Sequence, residues 1–177
     1  MATALDVLKY MKSLGQHFYG EMQAQKLVYY AQAWTVTWDG APLFDEPIRA
    51  WEKGPVVTSL RHQMERLNRP SSEHESSSLT PQQQENIRAV VEHYGAMNGT
   101  ELSELTHEES PWKQTVAERE STIPLDLMRA EYTKQSLQGS GPKRVPLEPE
   151  KPDPEKIRRL TDEAVQQWSH TLALLAE

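Results

Sequence analysis

Cysteine is absent from the 177 residues, which removes disulfides, cysteine nucleophiles and thiolate zinc sites and fits a reducing compartment. Long apolar runs are missing as well. Nothing approaches the roughly 20 residues that a membrane helix needs, and the start of the chain lacks the basic-then-apolar pattern of a secretion signal. A soluble, cytoplasmic protein without a membrane partner is expected. There is no excess of positive charge either: Lys and Arg number 19 against 26 Asp and Glu, a formal net charge of -7. An acidic body without a basic stripe repels phosphate. Nucleic acid is therefore not expected as a direct target, and a basic protein partner suits the charge better.

The marks of catalysis are lacking too. Gly139-Ser140-Gly141 lies in a proline-rich stretch, without the strand and helix that make such glycines a phosphate cradle. No Gly-x-Ser-x-Gly elbow is present. The six histidines are scattered, and the best cluster, His107-Glu108-Glu109, places neighbours that point in different directions on a helix. His107 reads instead as a side chain that ties a corner together by hydrogen bonding. No catalytic, cofactor or metal residue is assigned, and the chain reads as a non-enzyme.

What is present is one dense block, residues 25–57, holding Trp34, Trp38 and Trp51 of the five tryptophans. If residues 25–38 are helical, Leu27, Tyr30 or Ala31, Trp34 and Trp38 share one face of a 3.6-residue period. Such an aromatic stripe is more often core than a stacking surface for a base or cofactor. Further helices surround it in the sequence. Thr3 and Asp6 form a capping pattern ahead of Leu5, Leu8, Met11 and Leu14, and Gly15 ends this first helix. The aromatic helix starts around Glu21 and stops at Asp39-Gly40. Pro42 and Pro47 forbid helix between them, and Ile48–Trp51 reads as an isolated strand or extended loop.

Gly54-Pro55 reads as a helix start, with Val57, Leu60, Met64 and Leu67 carrying a third helix to about Asn68. A polar surface loop follows over 69–78. Thr80-Pro81 opens a helix that buries Ile87, Val90 or Val91, Tyr94 and Met97 and ends at Gly99. Leu102 and Leu105, then Ser110-Pro111-Trp112, predict two short helices meeting at a corner. Leu125, Met128 and Tyr132 lie near one face of a helix over 124–136.

From Gly139 the composition shifts to a stretch that cannot be helix or central strand, a semi-extended linker. A final helix then repeats Ile157, Leu160, Ala164, Trp168, Leu172 and Leu175 at intervals of three and four. Alone it is marginal in water, so it must dock on its own domain, a second copy or a partner. The expected fold is mainly α: a compact multi-helix single domain over 1–138, with at most a short extended or β segment near 42–52. A proline-rich linker over 139–154 and a C-terminal amphipathic helix over 155–177 complete it.

Three blocks carry a resemblance: Gln25-Lys26-Leu27-Val28-Tyr29-Tyr30-Ala31-Gln32-Ala33-Trp34, the stretch from Pro42 through Trp51-Glu52-Lys53-Gly54-Pro55 to Val57, and Leu102 through His107-Glu108-Glu109-Ser110-Pro111-Trp112. Their order and spacing resemble the Panacea domain, also called SocA-like, over most of residues 5–135. Where members often have histidine after the first block, this chain has Thr35, which argues against a histidine-based site there. The resemblance implies a mainly α-helical domain of bacteria, phages and mobile elements that serves as the antitoxin of a two-gene toxin-antitoxin pair. Such antitoxins neutralise a cognate protein toxin by direct contact, including alarmone-synthetase-like toxins that act on tRNA or nucleotides. A related role is delivery of the bound toxin to an AAA+ protease.

On that basis Trp34, Trp51, Gly54, Pro55, His107 and Trp112 are expected to define the scaffold. The acidic set Glu101, Glu104, Glu108 and Glu109 is a candidate docking face for a basic partner, although such sets are more often only solvated. Of it Glu101, Glu104 and Glu108, together with Trp168 and Leu172 of the terminal helix, are the expected partner contacts. The terminal helix is equally open to pairing with a second copy. The competing class is an enzyme with a hydrolytic site that no motif marks.

Overall fold

The computed structural model describes residues 2–61, 78–145, 158–159 and 161–162. The chain divides into two units, Met1–Val145 and Pro146–Glu177. In the second, residues 158–159 and 161–162 are helical. The rest of the expected terminal helix, with Trp168 and Leu172, lies outside the described residues, as do residues 62–77.

Local capping chemistry sets the helix boundaries of the first unit. Helix α1 (Ala4–Ser13) opens on a capping box in which the Asp6 N–H donates to the Thr3 hydroxyl at 3.2 Å and the Thr3 N–H donates to the Asp6 carboxylate at 2.8 Å. Helix α2 (Glu21–Asp39) closes on Gly40, left-handed at φ 70, whose N–H donates to Val36 O. Strands β1 (Ile48–Trp51) and β2 (Gly54–Val57) follow, then a 3-10 turn over Thr58–Leu60. Helix α3 (Pro81–Tyr94) has the expected Thr80 cap with proline in its first turn, and Gln83 completes a capping box by returning its side chain to the Thr80 N–H. Helices α4 (Gly99–Glu108), α5 (Ser110–Ala117) and α6 (Leu125–Leu137) complete six α-helices among the described residues. The fold is mainly α.

Three boundaries differ from the sequence reading, one of them the end of α3, which stops at Tyr94 with Gly95 as its cap and not at Gly99. Gly54-Pro55 begins a strand, not a helix: β2 pairs antiparallel with β1 in the register Ile48↔Val57 through Trp51↔Gly54, leaving Glu52 and Lys53 as the turn. The pairing partner overrides the local helix-start signal, and Val56 and Val57 are β-branched residues that suit the pleat. Ile48–Trp51 is accordingly one arm of a hairpin. Its other edge is covered where Ala50 N–H donates to Ser121 O at 3.0 Å and Ile123 N–H donates to Ile48 O at 2.9 Å. The third difference is at Gly99, which starts α4 where the sequence suggested a stop. Asn98 accepts from the N–H groups of Thr100 and Glu101, and Glu101 returns a carboxylate to the Asn98 N–H, so the helix restarts there.

Helix α2 is the centre of the body, packed against α1, α3, α4, α6 and β2. Every residue from 23 to 36 is buried, which corrects the expectation of a single covered aromatic face. Apolar periodicity finds only one stripe, whereas Gln23, Gln25, Lys26 and Gln32 are buried because each serves the backbone of a neighbouring segment. Gln25 brackets Val57, donating to its carbonyl at 3.1 Å and accepting from its N–H at 2.9 Å. Gln32 does the same for the loop ahead of β1, donating to Phe44 O at 2.9 Å and accepting from Leu43 N–H at 2.7 Å. Gln23 donates to Met97 O at 2.7 Å.

Residues 139–145, at the head of the proline-rich stretch, are held on this body. Pro142 is buried, and the Arg144 guanidinium donates to Asp39 at 2.5 Å while lying 5.5 Å from the Trp38 ring centroid.

Candidate functional site

The family-like motif residues converge on the β1–β2 hairpin, whose carbonyls are claimed one after another. Trp112 Nε1 of α5 donates to Trp51 O at 2.9 Å. His107 Nε2 lies 2.9 Å from Glu52 O, and its Nδ1 lies 2.5 Å from Ser103 O. Ser103 Oγ donates to Lys53 O at 2.9 Å. Lys26 Nζ of α2 donates to Pro55 O at 3.0 Å. The turn at Glu52 and Lys53 and the edge of a two-stranded sheet leave carbonyls open to other donors, and here side chains from three helices take them. The His107 and Trp112 rings meet edge to face with centroids 4.1 Å apart, so the clasp is packed as well as hydrogen-bonded.

Gly54 makes this close approach possible. At φ +93 it lies in the left-handed region, and a Cβ there would come within 2.7 Å of Lys26 Nζ and 2.8 Å of Thr106 Oγ1. Gly54→Ala is expected to destabilise the fold by about 2 kcal/mol, from the left-handed strain and the displaced Lys26 contact together. Urea unfolding of the variant beside the parent measures it, and an unchanged midpoint would mean that the clasp tolerates a side chain. Lys26 itself is 1% exposed, and burial pulls its pKa down to about 8.

The hairpin tip faces solvent. Trp51, Glu52 and Lys53 are exposed, and the Arg61 guanidinium lies 4.9 Å from the Trp51 ring centroid. On α4, Ser103 and His107 reach the hairpin, while Glu104 and Glu108, four residues apart, are exposed and form a ridge on the adjoining face. Glu101 is exposed too, but its carboxylate accepts from the Asn98 N–H at 2.7 Å and so serves the α4 cap.

Glu109, expected with the other three on an acidic face, turns inward instead. It is 5% exposed and sits at the corner between α4 and α5. Its Oε2 accepts from Tyr132 Oη at 2.7 Å and Tyr30 Oη at 3.2 Å, and its Oε1 from Gln135 Nε2 at 3.2 Å. Tyr29 joins through a 3.1 Å hydroxyl contact with Tyr132, and the Tyr30 ring stacks on Tyr94 at 4.1 Å. Burial raises the Glu109 pKa to about 7, against the donors Tyr132, Gln135 and Tyr30, which favour the charged form.

Of the scaffold residues named from sequence, Trp51, Gly54, Pro55, His107 and Trp112 meet in this clasp. Trp34 does not: it is wholly buried in the core, two turns along α2 from Lys26. Sequence reasoning missed Lys26, Ser103 and Glu109 as structural partners. Lys26 carried the clearest signal, a cation between positions whose apolar neighbours must be buried. Among the described residues no group of three or more His, Asp or Glu could hold a metal ion, and no helix is long and apolar enough to cross a membrane.

Residues 25–113 match the family described as antitoxin SocA-like, Panacea domain. The matched span contains every member of the hairpin clasp and is narrower than the 5–135 suggested by the motifs; α1 and α6 fall outside it. No curated protein and no solved structure matches the chain.

Proposed function

We propose, since the chain belongs to the antitoxin SocA-like, Panacea-domain family, that it neutralises a cognate protein toxin by direct contact. The observation that carries the reading is the engagement of the motif's own polar groups. Lys26, Ser103, His107 and Trp112 all face hairpin carbonyls, so the motif builds a rigid presenting element and leaves recognition to what stands on it. Exposed Trp51 beside the Glu104–Glu108 ridge combines an aromatic anchor with negative charge, a combination that fits a basic toxin surface. A toxin that binds tRNA or nucleotides needs such a basic surface, and covering it blocks the substrate.

The test is co-expression with the product of the neighbouring gene. Glu104→Lys together with Glu108→Lys is expected to weaken toxin binding at least tenfold in calorimetry while leaving the melting temperature unchanged. Undiminished binding would remove the ridge from the interface. Trp168→Asp with Leu172→Asp tests the terminal segment in the same assay. The toxin's half-life in cells discriminates mechanism: an intact but inhibited toxin supports blocking, and a shortened half-life supports delivery to an AAA+ protease.

A further inference from the structure

Between the loop that precedes β1 and the start of α6 lies a second feature that the hairpin clasp does not use. It is a cavity of about 290 Å³. Its floor is Phe44, Ile48, Ile123 and Met128, each at most 3% exposed. Pro42, Pro47 and Pro124 stand around it with Leu125, the latter 38% exposed. Proline fixes φ, so the walls are ordered before anything binds and little entropy is lost on filling.

Size and chemistry together select the occupant. Small-molecule sites run from roughly 300 to 1,000 Å³ and carry a few polar groups aimed inward to orient the ligand. This cavity lies at the bottom of that range, and the polar groups along it are already engaged. The Gln32 amide holds the Leu43 and Phe44 backbone. The Thr122 hydroxyl accepts from Arg49 Nη1. Glu46 accepts from the Ala4 N–H at 3.0 Å. What is left is an apolar floor fit for one or two side chains and, at the rim, the exposed carboxylate of Asp45, which has no hydrogen bond or ion pair among the described residues.

We infer that this cavity is an anchor site for the toxin, taking one apolar side chain whose neighbouring lysine or arginine pairs with Asp45. The inference rests on the proposed antitoxin role and assigns it a contact distinct from the acidic ridge. Pockets that swallow a single apolar anchor dominate interface energetics, and a rim charge adds selectivity for a basic flank.

Leu125 allows a clean test because it is the first residue of α6, where the helix dipole favours a carboxylate. Leu125→Asp therefore fills the rim with charge without weakening the helix. Calorimetry of the full chain with the neighbouring gene's product should show Leu125→Asp binding at least tenfold more weakly than the parent, and Asp45→Lys at least threefold. Leu125→Met and the exposed, charge-matched Glu118→Lys should bind within twofold of the parent. Equal binding by the parent, Leu125→Asp and Asp45→Lys overturns the anchor site and leaves the antitoxin reading standing. Failure of the parent itself to bind overturns both. If Leu125→Asp instead alters the sedimentation of the chain alone, the cavity is a contact between copies, and the anchor assignment is likewise overturned.

Discussion

Trp34→Ala is expected to lower the stability of the fold by about 4 kcal/mol, in the range seen when a wholly buried large aromatic is truncated. Trp34 is 0% exposed, its Nε1 donates to Tyr94 Oη at 3.2 Å, and its ring lies 5.2–5.3 Å from those of Tyr132 and Trp38. The backbone of Gly141 presses on the same ring so closely that a Cβ there would fall 2.2 Å from it. No neighbour can relax into the space without releasing the others. For a body of this size the loss corresponds to a melting temperature lower by roughly 10 °C or more. Thermal unfolding beside Trp34→Phe, which keeps part of the packing, checks the value. A drop of less than about 1 kcal/mol would show that the aromatic core is not what holds α2 in place. The same measurement separates two kinds of residue: Trp34→Ala should lose toxin neutralisation together with the fold, whereas Glu104→Lys with Glu108→Lys should lose it at an unchanged melting temperature.

The second large effect is a pH dependence of stability centred on Glu109. Its folded pKa, about 7, stands above the ordinary 4.5, so the folded state holds the proton more tightly. That stabilisation is fully present below pH 4.5 and is lost as pH rises through 7. The span corresponds to about 3 kcal/mol. Lys26 acts with the opposite sign at higher pH. Its folded pKa is depressed to about 8 from 10.5, so the unfolded chain binds more protons between those values and stability rises with pH there. The buried tyrosines limit that gain, because burial first, and then the Glu109 charge for Tyr29 and Tyr30, hold their pKa values well above the usual 10. Above pH 10 the unfolded chain ionises them more readily than the fold does. Stability is therefore expected to pass through a minimum between about pH 7 and 8. Denaturant unfolding at pH 5 and 7.5 measures the first limb. Glu109→Gln keeps an acceptor for Tyr132 and Tyr30 and should cut that change to below about 1 kcal/mol. If the parent and Glu109→Gln share the same slope, the proton taken up belongs to another group.

How far the sequence reached can be read from particular residues. Thr3 with Asp6, Thr80 with Gln83 and Gly40 located their helix ends because capping joins groups within about four positions of one another. Pro111 marked the start of α5 through its fixed φ, although Glu109 and not Ser110 is the N-cap there. The mainly α fold and the burial of the aromatic block followed from the same short-range periodicity. Gly99 failed by the same logic, since a glycine that ends one helix and a glycine that starts the next look alike until Asn98 is seen capping α4.

Composition and local pattern alone determined the helical class, the acidic charge and the motif that places residues 25–113 in the family. Tertiary structure decided that Gly54-Pro55 is a strand, that Lys26, Ser103, His107 and Trp112 hold the hairpin's carbonyls, that Glu109 points inward, and that prolines from separate loops wall a cavity beside Leu125. The hairpin strands lie within nine positions of one another, but the contacts that fix the hairpin and Glu109 in the fold join residues from 23 to 79 positions apart. The partner of a buried donor such as Lys26, or of a buried acceptor such as Glu109, is fixed by which segments meet in space, and no local preference encodes that meeting.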